Sequence, residues 1–205
     1  MPSEPDDSVI ARLAALPAAT IYEAAGKVGD MAPAIRPLVQ GARLAGPAFT
    51  LRTMPGDNLA VFHAIAAAPP GAVLVIDGGD TERVTIWGGT STVAAQARRL
   101  AGCVTNAAAR DLDEIRESGF PVFAPGVSVR GTAKAHPGWM GIPVVVGGVI
   151  VNPGDIVVGD ADGVVVVAAG RAAEVATKAE AKRRDELERE ARLRAGEDIS
   201  TVLGR

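Results

Sequence analysis

The stretch TNAAARDLDEI, residues 105–115, joins the end of a strand to the start of a helix. The residues just before it, Cys103 and Val104, begin a short apolar run typical of a strand, and Asp111 is a good N-cap for a helix that starts at Leu112. The stretch therefore predicts one strand–helix unit of an α/β fold, with Arg110 and Asp111 at the carboxyl end of the strand.

The adjacent charges of Arg110 and Asp111 allow two interpretations. A carboxylate can bind a divalent cation while a guanidinium beside it binds an anionic oxygen, which would make the pair a ligand site. Alternatively, Asp111 only caps the helix and Arg110 forms an ion pair with a neighbouring acid. The dipeptide alone leaves both open.

The segments around this unit repeat its pattern. Residues 72–76 are a continuous apolar run typical of a fully buried parallel strand, residues 90–101 predict a helix, and residues 121–124 predict another strand. Upstream, we expect helices over 8–16 and 20–29, the second with a Thr20/Glu23 capping box, then a strand over 43–52 interrupted at Gly46-Pro47 and a helix over 59–68. This alternation favours an α/β core with a parallel or mixed sheet.

The second half of the chain predicts a β-rich region followed by a long helix. Strands are expected over 128–135, 144–151, 156–159 and 164–168. The sequence Asp160-Ala-Asp162-Gly163 resembles part of a calcium loop but lacks the remaining ligands, so a tight turn without metal is expected. The charged helix predicted over 171–194 is either solvated or an arm that crosses to a neighbouring subunit. We expect one domain over 8–205, with a disordered leader over 1–7 and a helical arm over 170–195.

Composition narrows the class of protein. The 205 residues are 48% apolar and carry 21 basic and 24 acidic side chains, so nothing indicates a nucleic-acid partner. The amino terminus lacks a secretory pattern and no apolar run is long enough to span a bilayer, which predicts a cytoplasmic protein with no membrane partner. The single cysteine, Cys103, lies in a strand-like run and is expected to be a buried, inert thiol.

Three loops, over residues 77–80, 88–91 and 106–111, are expected to meet at the carboxyl ends of neighbouring strands, where open α/β sheets bind ligands. Gly88, Gly89, Thr90 and Ser91 would present backbone N–H groups at a helix N-terminus, which suits a carboxylate, although such a Gly-Gly can also be only a tight turn.

Neither histidine has the spacing of a zinc site. His63 lies in an apolar helix and is expected to be a core or interface residue, and His136 lies in a turn.

Six segments together resemble the RraA-like superfamily, which includes the class II 4-hydroxy-4-methyl-2-oxoglutarate and 4-carboxy-4-hydroxy-2-oxoadipate aldolases. The segments are Gly56-Asp57-Asn58, Trp87-Gly88, residues 106–111, residues 121–124, PVVVGGVIVNPGD over 143–155, and GDADGVVVV over 159–167. The resemblance runs from about residue 12 to the end of the chain.

The resemblance implies an α/β/β domain that forms homotrimers or homohexamers, with active sites between subunits and Mg²⁺ or Mn²⁺ as the metal. By match to the aldolases, Asp111 would be the metal ligand and Arg110 would contact the keto oxygen. Backbone N–H groups of Thr90 and Ser91 would bind the pyruvyl carboxylate. The implied activity is C–C bond cleavage of a small 2-oxo acid to give pyruvate, by retro-aldol cleavage of a 4-hydroxy-2-oxo acid, by oxaloacetate decarboxylation, or by both.

The alternative implied by the same family is a non-catalytic regulator that binds a protein such as an RNA-decay endoribonuclease. That branch typically lacks the Asp matched by Asp111, so its presence favours an enzyme. Two positions depart from the aldolase pattern: Gly89 replaces an acidic residue, and Asn106-Ala107 replaces Asp-Gly. A family acid offered from the C-terminal helix to the neighbouring subunit's site matches Glu186, although a solvated role for Glu186 fits equally well.

Overall fold

A computed structural model describes residues 6–79 and 83–204. Within these ranges the chain forms seven α-helices: α1 Asp7–Ala14, α2 Ala18–Ala24, α3 Leu59–Ala67, α4 Gly89–Ala97, α5 Leu112–Ser118, α6 Ala172–Arg194 and α7 Ile199–Leu203. The twelve strands of the same ranges are β1 Arg36–Pro37, β2 Leu44–Arg52, β3 Val73–Asp77, β4 Thr85–Trp87, β5 Gly102–Thr105, β6 Ala108–Ala109, β7 Val122–Ala124, β8 Trp139–Met140, β9 Val144–Val146, β10 Val149–Val151, β11 Ile156–Asp160 and β12 Gly163–Val167.

The main sheet is mixed and nearly closes on itself. Its strand order is β1-β7-β5-β3-β2-β11-β12, and β8 pairs with the end of β2. Strands β2, β3, β5 and β7 are parallel, whereas β11 and β12 are antiparallel. Arg36 of β1 donates to the carbonyl oxygen of Asp162 at the turn before β12 (2.6 Å), which links the two ends of the sheet. The predicted α/β fold with a β-rich second half is confirmed.

The central strand β3 is buried on both faces. Leu74 and Ile76 pack in a cluster with α3 and with residues of α4 and α5, while Val73 and Val75 pack with the β9–β10 hairpin and β12. Because both faces are covered, the strand is apolar throughout rather than alternating. Cys103 of the adjacent strand is fully buried, and this burial raises the pKa of its thiol well above the ordinary value. The predicted fully buried parallel strand and the predicted burial of Cys103 are confirmed.

Several predicted segment boundaries were wrong. Strand β2 runs through Gly46-Pro47 without interruption, because Pro47 lies opposite Ile156 in an antiparallel pair. Residues 144–151 are not one strand but a hairpin that turns at Gly147 and Gly148, both with positive φ, as a two-residue hairpin loop requires. Residues 128–135 form no strand. The expected turn after Asp160 is confirmed as the β11–β12 connection, where the Asp160 carboxylate accepts the N–H of Asp162.

The first helices begin earlier than expected. Helix α1 starts at Asp7 with Asp6 as its cap, so these two residues do not belong to a leader, and residues 1–5 lie outside the described ranges. Helix α2 starts at Ala18 rather than at Thr20 and ends at Ala24, and the Thr20 hydroxyl donates to Glu186 of α6 (3.1 Å) instead of capping α2.

The long helix α6 is anchored over its first two turns. Ala172, Val175, Ala176 and Ala179 are buried in a cluster with α1, α2, β11 and β12. Leu187 and Leu193, further along, are exposed. Within the described parts of the chain, no helix is both long and apolar enough to cross a membrane.

Candidate functional site

A short parallel strand pair brings two distant loops together. Thr85 and Trp87 of β4 lie beside Ala108 and Ala109 of β6, and the N–H of Arg110 donates to the carbonyl oxygen of Trp87 (3.0 Å). The residues that follow each strand are therefore adjacent. The predicted meeting of the loops over 88–91 and 106–111 is confirmed, and small side chains at Ala108 and Ala109 permit this close pairing.

Asp111 lies at the N-cap position of α5, but its carboxylate does not cap that helix. The backbone of Asp111 is left-handed, with φ of 58°, a conformation uncommon for a residue other than glycine. Its side chain instead accepts the N–H of Gly89 at Oδ2 (3.0 Å). The expected capping role was thus wrong, because the left-handed backbone directs the carboxylate to the start of α4. Strained residues of this kind often occur at functional sites.

Arg110 completes a pair of partly exposed charges. Its Nε lies 3.6 Å from Oδ2 of Asp111, and the two side chains are 47% and 38% exposed. On the other side, a Cβ added to Gly131 would lie 3.2 Å from Nη1 of Arg110, so the guanidinium is close to the backbone of residue 131. The pair offers one anionic and one cationic group to a ligand from solvent.

The start of α4 is held firmly beside this pair. The Trp87 indole donates to the Thr92 hydroxyl (2.9 Å), and the N–H of Thr92 donates to the carbonyl oxygen of Gly88 (3.0 Å). Thr90 and Ser91 occupy the next positions of the first turn, where backbone N–H groups have no acceptor within the helix. Gly88 lies close to the pair, since a Cβ added to it would lie 2.7 Å from Oδ2 of Asp111.

The third predicted loop adjoins the site through a buried network. Asn106 accepts the N–H of Gly78 at Oδ1 (2.7 Å) and donates through Nδ2 to Oδ1 of Asp77 (3.2 Å). Arg52 donates to the other oxygen of Asp77 (2.7 Å). An aspartate in place of Asn106 would face the Asp77 carboxylate without a donor, which explains the amide at this position. Asp80, at the end of this loop, lies outside the described ranges.

The site offers oxygen ligands for a divalent cation. The described ranges contain no group of three or more His, Cys, Asp or Glu side chains able to hold a metal ion. Mg²⁺, however, is usually bound by one or two carboxylates and keeps several waters. Asp111 fits this pattern, because its Oδ2 is fixed by Gly89 while its side chain remains partly exposed.

Sequence reasoning missed Glu114 as a residue of this site. A Cβ placed on Gly89 would collide with Oε2 of Glu114, so the Glu114 carboxylate lies directly against Gly89. The spacing of three residues from Asp111 on a helix start was the available signal, because residues three apart share a helix face.

The remaining candidates lie elsewhere. Glu186 is held within its own chain by Thr20 (3.1 Å) and by Lys182 and Arg183 of α6 (3.7 and 3.4 Å). Its contribution to a neighbouring subunit's site stays a prediction. His63 is exposed on α3, so a core position within this chain was wrong, and His136 accepts the N–H of Gly138 (2.9 Å).

Fold and site together define an α/β protein with an Arg-Asp pair that follows the short parallel β4–β6 pair. The RraA-like family, Aldolase/RraA, matches residues 18–166. The chain belongs to the RraA-like family, and the predicted family is confirmed.

Three similar proteins extend this comparison. A relative from Halalkalibacterium halodurans named "Putative 4-hydroxy-4-methyl-2-oxoglutarate aldolase" is 36% identical over 92% of this chain and 90% of its own length. A solved structure of an uncharacterized protein from Pseudomonas syringae pv. tomato has a TM-score of 0.84 and 28% identity over 98% of both chains. The structure of Streptomyces coelicolor RraAS2, an unusual member of the RNase ES inhibitor RraA protein family, has a TM-score of 0.80 and 28% identity over 91% of this chain and 98% of its own.

Proposed function

We propose that the protein is a divalent-metal-dependent lyase that cleaves a C–C bond of a small 2-oxo acid to give pyruvate. The observation that carries this proposal is the Asp111 carboxylate, which is anchored by the Gly89 N–H, partly exposed, and adjacent to Arg110. The aldolase name of the Halalkalibacterium relative supports the same reaction class.

Each part of the site has a role in this chemistry. Asp111 would hold Mg²⁺ or Mn²⁺, which when bound supplies a Lewis acid for a 2-oxo acid. Arg110 would bind the keto oxygen and stabilise the negative charge that develops on it as the C–C bond breaks. Backbone N–H groups of Thr90 and Ser91 would bind and orient the substrate carboxylate at the N-terminus of α4. Because the same charge develops when oxaloacetate loses CO₂, the site suits both retro-aldol cleavage and decarboxylation.

The active form is proposed to be a homotrimer or homohexamer. Support comes from large apolar side chains left exposed on the single chain: Val129 is 97% exposed, and Ile150 and Val93 are each 66% exposed. Val93 lies on α4, whose first turn forms part of the site. A second copy of the chain that covers this helix would also enclose the Arg-Asp pair.

Pyruvate formation tests the proposal. Purified protein is incubated with oxaloacetate or a 4-hydroxy-2-oxo diacid, with Mg²⁺ or with EDTA, and pyruvate is measured with lactate dehydrogenase and NADH. We expect Mg²⁺-dependent pyruvate from at least one substrate. Pyruvate from neither would contradict the proposal.

A second function is supported by the similarity to RraAS2, whose family is described as an RNase inhibitor. In that case the chain would be a non-catalytic regulator that binds a protein partner such as an RNA-decay endoribonuclease. Inhibition of such an endoribonuclease by a protein that produces no pyruvate would favour the regulator.

A further inference from the structure

Two carboxylates converge on Gly89. The N–H of Gly89 donates to Oδ2 of Asp111, and a Cβ on Gly89 would lie 3.5 Å from Cβ of Asp111 and 3.1 Å from Cδ of Glu114. Asp111 and Glu114 are therefore brought to the same backbone unit from the start of α5. The missing side chain of Gly89 makes the space that the Glu114 carboxylate occupies.

Backbone conformation does not explain the glycine. Gly89 is the first residue of α4, a position that any residue with ordinary helical dihedrals can take. A side chain at residue 89 would displace the Glu114 carboxylate, which is the exposed end of a flexible side chain. Glycine at this position thus leaves room for that carboxylate beside Asp111.

Two acids of α6 show what a paired carboxylate looks like in this chain, and Glu114 lacks such a partner. On α6, Glu180 is paired with Arg12 (2.7 Å) and Glu186 with Arg183 (3.4 Å). Among residues 6–79 and 83–204, the side chain of Glu114 forms no ion pair or hydrogen bond. Two carboxylates that approach one backbone unit repel each other, and a divalent cation between them and solvent would relieve this repulsion.

We propose that Glu114 is a second carboxylate of the cation site and binds the water ligands of the ion that Asp111 holds. This inference rests on the proposed function and adds a residue to its site. Glu114 would act as a positioning residue, because outer carboxylates orient the groups that bind a metal directly.

Metal binding can be measured without turnover. Mn²⁺ is titrated into the full-length wild-type protein, and the free ion is followed by electron paramagnetic resonance. We expect Glu114→Gln to weaken Mn²⁺ binding roughly tenfold to a hundredfold, the range typical of such outer residues. The matched control is Asp113→Asn, which removes an acid from the same first turn of α5 and should bind Mn²⁺ like the wild type.

A relocated carboxylate sharpens the test. Glu114→Ala frees the space beside residue 89, so adding Gly89→Asp returns a carboxylate to nearly the same place. The double variant should recover most of the affinity that Glu114→Ala loses. Equal Mn²⁺ affinities for wild type and Glu114→Gln, equal losses for Glu114→Gln and Asp113→Asn, or no recovery in the double variant would overturn the role of Glu114.

The variant Asp111→Asn separates this inference from the proposed function. If wild type binds Mn²⁺ and Asp111→Asn does not, the metal site stands whatever Glu114 does. If wild type binds no Mn²⁺, the proposed function and the role of Glu114 both fail.

Discussion

Asp57 and Asp111 both lie just before a helix, yet their carboxylates differ in how many hydrogen bonds they accept and in how exposed they are. Asp57 is only 5% exposed and accepts three N–H groups, from Leu59 (2.9 Å), Ala135 (2.7 Å) and His136 (3.1 Å). Asp111 accepts one, from Gly89, and its side chain is 38% exposed. A carboxylate whose hydrogen bonds are all made within the protein stabilises the fold, whereas a partly satisfied and partly exposed one can bind a ligand.

The surroundings of Asp57 show how hydrogen bonds from the backbone change the pKa of a buried carboxyl group. Burial by itself would raise the pKa of Asp57, but the backbone hydrogen bonds of Leu59, Ala135 and His136, with a smaller contribution from the charge of His136, together lower it. Its ionised form is thus stabilised by the fold. The carboxylate fastens residues 135–136 to the start of α3, in the same loop as Gly131, which adjoins Arg110.

The largest expected effect is that of Asp111→Asn on turnover. Pyruvate formation should fall by at least about a hundredfold, because the amide is a poor ligand for a cation that Asp111 would hold. The free energy of unfolding should change by less than about 1 kcal/mol, since Asn can still accept the Gly89 N–H. Initial rates and urea denaturation measure both. A variant that loses several kcal/mol of stability but, while folded, keeps the wild-type rate would place Asp111 with Asp57 as a structural residue.

Arg110→Gln should lower kcat/KM for pyruvate formation by about a hundredfold, because a charged donor to the keto oxygen is lost. Arg110→Lys should fall between this variant and the wild type, since it keeps the charge but not the planar donor array. Steady-state kinetics with oxaloacetate distinguish the three proteins. Unchanged kinetics in Arg110→Gln would show that the Arg110–Asp111 contact is only a surface ion pair.

Asp57→Asn should have the opposite profile to Asp111→Asn. We expect a loss of about 2 kcal/mol in the free energy of unfolding, because the amide cannot accept all three N–H groups and a buried donor loses its partner. Equilibrium urea denaturation at pH 7 measures the loss. A stability equal to that of the wild type would remove the contrast between the two aspartates.

The smallest expected effect is a pH dependence of the stability that Asp57→Asn loses. Because the folded pKa of Asp57 is lowered, the folded protein binds fewer protons than the unfolded chain, and the carboxylate stabilises the fold above its unfolded pKa of about 3.9. This stabilisation disappears as the pH falls through the folded pKa. The difference in unfolding free energy between wild type and Asp57→Asn should therefore be present at pH 7 and shrink below about pH 4. A difference that grows with acid would contradict the sign of the shift.

Much of the fold follows from sequence because its signals are local. The apolar run of β3 and the Arg-Asp pair after β6 could be predicted from short segments, as could the long charged helix. The hairpin at Gly147-Gly148 was missed because a valine-rich run with two internal glycines also fits a single strand.

The details of the site depend on contacts between distant segments. That Asp111 binds Gly89 rather than capping α5 depends on the β4–β6 pairing, which no local pattern indicates. Glu114 lies three residues after Asp111, which is a local signal, but its place beside Gly89 depends on how α4 and α5 meet.

The most direct test is the rate of pyruvate formation as a function of Mg²⁺ concentration, measured in parallel for wild type, Asp57→Asn and Asp111→Asn. We predict saturating Mg²⁺ dependence for the wild type and, at a temperature where it stays folded, for Asp57→Asn, with no Mg²⁺-dependent rate for Asp111→Asn. A wild-type Mg²⁺ curve in Asp111→Asn would contradict the central claim that this carboxylate holds the metal.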